Sequence, residues 1–179
     1  MDINKVCPQD NYPTPFIDQI IDDYGGSEVF SFMDGFSGYN QINILPADQH
    51  KTVFIFPWGT FAYHKLLFGL KNFGATFQRA MSYAFHDINH IVQPYLDDLP
   101  AHSTFCWDHP VHLRSIFTSY CYYMIRLYPH KCVFCIESGH LLGFIVSKEG
   151  IWLDPLKVKV ILDLPPPSNL HRLQSLQGK

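Results

Sequence analysis

Apolar residues fall along this chain in two rhythms: steps of three and four that suit helices, and short unbroken runs that suit buried strands. Phe16, Ile17, Ile20 and Ile21 predict a helix over residues 15–24, stopped by Gly25-Gly26. The run Val29-Phe30-Ser31-Phe32-Met33-Asp34 alternates too little for a half-exposed strand and reads as a buried one ending on a carboxylate. Residues 52–56 and 60–64 flank Pro57-Trp58-Gly59 and predict a hairpin. A second hairpin is expected where 91–95 and 99–102 bracket Asp97-Asp98, and a third where 141–146 and 151–153 flank Lys148-Glu149-Gly150. Phe77, Met81, Ala84 and Phe85 predict a helix over 75–86, and Leu113, Phe117, Tyr120, Met124 and Leu127 one over 110–127. Further helices are expected over 154–164, ended by Pro165-Pro166-Pro167, and from 170 to 176. Strands and helices mix without strict alternation, which predicts an α+β class.

Composition supports a packed core. The 179 residues are 47% hydrophobic and 16% aromatic, enough to exclude a disordered tail. With 13 basic and 16 acidic residues the net charge is −3, unlike the basic face of a free-standing nucleic-acid binder. The charge is uneven: residues 1–100 hold 5 Lys/Arg and 11 Asp/Glu, whereas 101–179 hold 8 and 5. A phosphate-rich partner would therefore be held mainly by the second part, and the first would need cations nearby; a chance spread of solvated charges accounts for the same counts. Five cysteines, an odd number, read as reduced thiols rather than a disulfide framework. No cationic-then-apolar leader opens the sequence, and no apolar run approaches the roughly 20 residues of a membrane span. These features predict an intracellular protein without membrane partners.

Tyr95-Leu96-Asp97-Asp98 is the strongest chemical signal. Adjacent acids at a hairpin tip repel one another, and one physical use for them is to hold hard divalent cations such as Mg²⁺. Asp34 supplies another acid at the end of its strand. Metals held by such carboxylates activate a hydroxyl and stabilise a departing pyrophosphate. An Asp-Asp pair alone is equally the mark of an ordinary solvated turn.

Neighbouring segments favour the chemical reading. Phe32-Met33-Asp34-Gly35-Phe36-Ser37-Gly38-Tyr39-Asn40-Gln41-Ile42 resembles the first polymerase motif of reverse transcriptases from gypsy-type long-terminal-repeat retrotransposons. Phe68-Gly69-Leu70-Lys71-Asn72-Phe73-Gly74-Ala75-Thr76-Phe77-Gln78-Arg79 resembles the second, and Tyr95-Leu96-Asp97-Asp98 the third, in the family's order. Arg126-Leu127-Tyr128-Pro129-His130-Lys131-Cys132, Leu141-Leu142-Gly143-Phe144-Ile145-Val146-Ser147 and Asp154-Pro155-Leu156-Lys157-Val158 extend the similarity over essentially the whole chain.

The resemblance implies a polymerase palm, a central antiparallel sheet backed by helices. It assigns residues 31–42 and about 76–153 to the palm, 1–30 and about 43–75 to partial fingers, and 154–179 to the start of the thumb. It implies RNA-directed DNA polymerase activity on a primed RNA or DNA template with deoxynucleoside triphosphates and two Mg²⁺ ions, or Mn²⁺. Asp34 and Asp97 would bind both metals, Asp98 would complete the triad, and the Gly35 carbonyl would join the metal shell. Tyr39 would lie under the incoming sugar and clash with a ribose 2′-hydroxyl, which argues against an RNA-copying RNA polymerase; otherwise it is a core aromatic. Phe68 and Gly69 would flank the nucleotide. Gln78 and Arg79 would face the template unless they form only a polar helix face. Tyr95 would lie near the template and primer, and Leu142-Gly143-Phe144 would grip the primer terminus. RNase H and integrase domains are expected in the parent polyprotein.

Departures from the family pattern matter. Under the resemblance the chain opens part-way through the fingers and stops before most of the thumb, so it lacks the cationic triphosphate clamp. Pro94 and Pro100 flank the third motif, where each removes a backbone N–H from a sheet. Leu67 and Tyr128 also replace residues usual in relatives, and Gly74 stands where retroviral relatives often have Pro, though gypsy-type sequences tolerate Gly. An inactive remnant keeping only the palm and weak metal or nucleic-acid binding is the alternative expectation. Cys132, Cys135 and His140 match three ligands of a zinc knuckle, but Ile145 stands where the fourth is needed, and core packing is the better reading.

Overall fold

The computed structural model describes residues 3–163 and 169–177. Its helices are α1 (Ile3–Val6), α2 (Ile17–Tyr24), α3 (Pro46–Gln49), α4 (Phe73–Ala84), α5 (His109–Tyr122), α6 (Pro155–Leu162) and α7 (Leu170–Gln177). Its strands are β1 (Val29–Asp34), β2 (Phe54–Phe56), β3 (Gly59–Phe61), β4 (Asp98–Ser103), β5 (Val133–Ile136), β6 (Ser138–Leu141), β7 (Phe144–Ser147) and β8 (Gly150–Leu153). They form an antiparallel sheet in the order β4-β1-β5, the hairpin β2-β3 and the meander β6-β7-β8. The expected α+β class holds.

The weak alternation of β1 has a simple cause: both of its faces are covered. Phe30 and Phe32 face a cluster with Ile20, Tyr24, Leu141 and Val146, joining α2 to the meander. Met33 faces a second cluster with Phe77, Met81, Phe85, Leu99 and Ile116, joining the sheet to α4 and α5. Ser31 shares the second face and is wholly buried, so it must be paired. Its hydroxyl lies 2.7 Å from His109 Nε2 and accepts the Cys135 N–H at 3.1 Å. His109 Nδ1 is in turn 2.7 Å from the Ser103 hydroxyl, which is also 2.7 Å from His112 Nδ1. This polar chain pins β1, β4, β5 and α5 together inside an otherwise apolar core.

Three expectations about the elements need correction. The strand expected over 91–95 is reduced to bridges, Val92 with Ala101 and Tyr95 with Asp98. Pro94 and Pro100 supply no N–H, so the ladder there cannot be continuous. Neither proline disturbs β1, because the Pro100 carbonyl points to the outer side, accepting from Gln93 N–H at 3.4 Å and the Tyr24 hydroxyl at 2.6 Å. The strand expected over 141–146 is two strands, broken at Leu142-Gly143, whose φ values of 50° and 94° suit a type I′ turn. The helix expected to reach residue 127 ends at Tyr122. Met124, at φ 54°, turns the chain back through bonds from its N–H to the Cys121 carbonyl at 3.3 Å and from Ile125 N–H to the Tyr120 carbonyl at 2.9 Å.

Residues 4–10 lie along the segment before α4. The Asn4 side chain donates to the Gly69 carbonyl at 2.7 Å and accepts the Lys71 N–H at 2.8 Å. Asn72 donates to the Pro8 carbonyl at 2.8 Å and accepts the Asp10 N–H at 3.0 Å.

Candidate active site

Two strand ends bring the acids together. Asp34, the last residue of β1, stands opposite Asp98, the first of β4. Asp97 occupies the turn between Tyr95 and Asp98, which exchange both backbone bonds at 2.9 and 3.0 Å. Leu96 takes the first turn position with φ 52°, a conformation that favours glycine and costs a branched side chain on the order of 1–3 kcal/mol. The backbone is held from the other side as well. Gly35 N–H donates to the Asp97 carbonyl at 3.4 Å, and Tyr128 N–H to the Asp34 carbonyl at 2.8 Å.

A cleft of about 360 Å³ opens here, lined by Asp34, Gly38, Tyr39, Asp97, Tyr128 and Lys131 among others. Asp97 Oδ1 lies so close to Gly38 that a Cβ there would meet it at 2.6 Å and the Phe77 ring at 2.9 Å. That oxygen is buried and has no hydrogen-bond partner. Burial raises the proton affinity of Asp97, the charges of Asp34 and Asp98 add to the rise, and Tyr39 and Lys131 oppose it. Asp98 is exposed, yet desolvation and then the charge of Asp34 raise it too, against Lys131. Lys131 Nζ stands 3.2 Å from Asp34 Oδ2. Among the described residues no three acidic, histidine or cysteine side chains are drawn together as ligands of one ion. Like charges without a cation between them repel, and Lys131 holds Asp34. The donors still suit a hard divalent cation: carboxylate oxygens, one of them buried and unsatisfied.

The other expected site residues divide. Tyr39 is packed as the core reading expects, its ring 4.7 Å from Phe73 and Phe77, and it also lines the cleft, where desolvation first, and then Asp97, pushes its hydroxyl up to about 12. Phe68 is 79% exposed beside Tyr39, their rings 6.5 Å apart. Gly69 has φ 93° and open space where a Cβ would be. Arg79 is exposed, but it pairs with Asp10 at 2.8 Å and lies over the Tyr12 ring. Gln78 does not face a template: it is 0% exposed, with its carboxamide bonded inside the protein. Tyr95 is half-buried against the α2–meander core, as are Leu142 and Phe144 around the Gly143 turn.

Two residues were given no role from sequence. Lys131 lies in the fourth segment of the resemblance, and only the return of the chain from α5 places it at Asp34. Gly38 lies in the first motif, where its lack of a side chain makes room for Asp97.

The comparisons agree with this geometry. Residues 2–146 match the family model for reverse transcriptase (RNA-dependent DNA polymerase). The Pol polyprotein of transposon gypsy from Drosophila melanogaster is 34% identical over 177 residues, and that of transposon 297 from the same organism 32% over 184. Each match covers 98% of this chain and 17% of the relative, so the chain spans about a sixth of those polyproteins. A foamy viral protease-reverse transcriptase in complex with double-stranded DNA superposes with a TM-score of 0.85 at 20% identity, over 98% of this chain and 31% of that one. The same type of protein in complex with an RNA/DNA hybrid gives a TM-score of 0.81 at 20% identity, over 98% and 24%. The chain belongs to the reverse transcriptase family, in the form carried by gypsy-type retrotransposon Pol polyproteins.

Proposed function

We propose that this cleft belongs to an RNA-directed DNA polymerase that adds deoxynucleotides to a primer 3′-hydroxyl along an RNA or DNA template. The observation that carries this reading is the buried, unpartnered Asp97 Oδ1 beside the Asp34–Asp98 strand pair. Asp34, Asp97, Asp98 and the Gly35 carbonyl would hold two divalent cations, Mg²⁺ or Mn²⁺. When bound, such cations polarise the attacking hydroxyl and neutralise the departing pyrophosphate. The protein's own groups do the rest. Lys131 balances the acids without substrate and is free to turn toward a phosphate when Asp34 takes up another cation. Tyr39, supported from below by Phe73 and Phe77, offers a flat wall to the sugar and leaves no space for a 2′-hydroxyl. Phe68 and Gly69 line the nucleotide's approach, and the Leu142–Phe144 turn would hold the primer by its backbone, which suits copying of any sequence. Arg79 reaches a template phosphate once it leaves Asp10. The polymerases that superpose on this chain were solved with double-stranded DNA and with an RNA/DNA hybrid, which supports nucleic acid as the partner. No described helix is long and apolar enough to cross a membrane.

Primer extension on an RNA template with Mg²⁺ tests the reading. Asp97→Asn should lower the rate on the order of 10³-fold, the scale of losing one transition-state charge stabiliser, with the fold retained. Equal rates for the two chains would sink it. Tyr39→Ala should raise ribonucleotide incorporation relative to deoxynucleotide by about tenfold or more, since one steric clash is removed; an unchanged ratio removes Tyr39 from the sugar pocket.

A further inference from the structure

Gln78 sits on α4 with no exposed surface, yet its carboxamide is fully used. Nε2 donates to the Pro94 carbonyl at 2.8 Å, and Oε1 accepts the Leu96 N–H at 2.8 Å. These partners lie on either side of Tyr95, so one side chain clasps the chain where it enters the Leu96-Asp97 turn. The clasp meets a local need. Pro94 has no N–H, Leu96 is held at a left-handed φ, and the Leu96 N–H lies outside the reciprocal pair between Tyr95 and Asp98. The preceding residue on the helix, Phe77, presses its ring against Gly38, on the other side of Asp97. A single turn of α4 thus backs the catalytic turn from two directions.

We propose that Gln78 is a positioning residue: its carboxamide fixes the Leu96-Asp97 turn so that the Asp97 carboxylate faces the cleft. The assignment rests on the reading of Asp97 as a reacting-site carboxylate. Gln78→Met keeps the length and apolar stem of the side chain but leaves the Pro94 carbonyl and the Leu96 N–H buried without partners. Losing such a pair changes local equilibria by about tenfold or more.

Amide exchange in the unmodified full chain gives the first test: the Leu96 amide should exchange at least about tenfold more slowly than the Asp97 amide, which has no such acceptor. Gln78→Met should abolish that protection while Ala101 and Ile116 keep theirs. Mn²⁺ binding, followed by paramagnetic broadening, should weaken by about tenfold, as for the loss of a group that orients a ligand. In primer extension kcat should fall with the nucleotide KM unchanged. Gln78→Glu keeps the acceptor for Leu96 and should recover part of the Leu96 protection and of the Mn²⁺ affinity. Equal exchange of Leu96 and Asp97 in the unmodified chain overturns the proposal, even if no variant folds. A folded Gln78→Met chain with unchanged Mn²⁺ affinity and kcat overturns it as well. A chain that extends no primer, but loses Leu96 protection and Mn²⁺ affinity in the variant, sinks the polymerase reading and leaves the positioning role standing.

Discussion

Two hairpin turns with candidate roles are built in opposite ways. The Leu142-Gly143 turn has both residues at positive φ, with glycine at the second, and its geometry matches the twist of β6 and β7; from outside the hairpin its backbone receives the Asp154 N–H, at the Gly143 carbonyl, at 3.2 Å. The Leu96-Asp97 turn shares a leucine at positive φ but has no glycine after it, and it carries adjacent acids and a proline just before it. Gln78 and Gly35 bond to it from two sides, and Gly38 packs against Asp97 from a third. A turn with glycine at its second position can sit at the rim of a meander. A turn that must present repelling carboxylates needs the core behind it, and local instability there is the expected mark of a working site.

Acid gives the largest separation between the two. His102, on β4 behind the first turn, is held down to about 4 by burial, against the opposing charge of Asp23, while the neighbouring His112, His109 and His90 push the same way as burial. Unfolding frees it to take up a proton near its ordinary value of 6.5. Its contribution is therefore complete above about pH 6.5 and is lost as pH falls from there toward 4. At about 1.4 kcal/mol per unit, the loss is on the order of 3 kcal/mol. Burial lowers His109 as well, in the same direction. Denaturant melts followed by amide exchange should show the β4-β1-β5 sheet weakening first, ahead of the meander, whose His140 is exposed. Parallel loss in both sheets would contradict this.

The glycines sharpen the contrast at a smaller scale. Gly38→Ala should destabilise the protein by about 2 kcal/mol, because the added carbon meets Asp97 and Phe77 inside the packed site. Gly143→Ala meets only the flexible Lys157 side chain, its amine at 2.7 Å and its stem at 3.3 and 3.4 Å, so its cost should be near the roughly 1 kcal/mol of the unfavourable φ alone. Thermal melts of both variants measure the difference; equal losses would mean that the first turn is no more crowded than the second. The smallest effect is expected from Leu96→Gly. It relieves the positive φ and should stabilise the folded chain by about 1 kcal/mol or less, offset in part by the freer unfolded chain. A clear loss of stability would show that the Leu96 side chain, rather than Gln78, holds the turn.

Most helices were legible because burial on one face writes itself into the spacing of apolar residues, as in Phe77, Met81 and Ala84. Helix ends were less so. Met124 and Leu127 continue the period of α5 in sequence, but the chain reverses at Met124, and Leu127 bridges to Gly35 instead. The three acids were legible through motif order, whereas Lys131 at Asp34 depends on a return loop that no local pattern announces.

The sequence by itself determined the α+β class and the family, and named three acids that lie at one strand end and turn, because periodicity and motif order are local properties of the chain. Only the tertiary structure decided what surrounds those acids. It moved Gln78 from an expected template face into the core, set Gly38 against Asp97, and turned Pro100 outward so that β1 kept its ladder. Those outcomes rest on contacts between residues far apart in the chain. A carboxamide, a missing side chain or a missing N–H acquires its meaning only from the partner that packing brings to it.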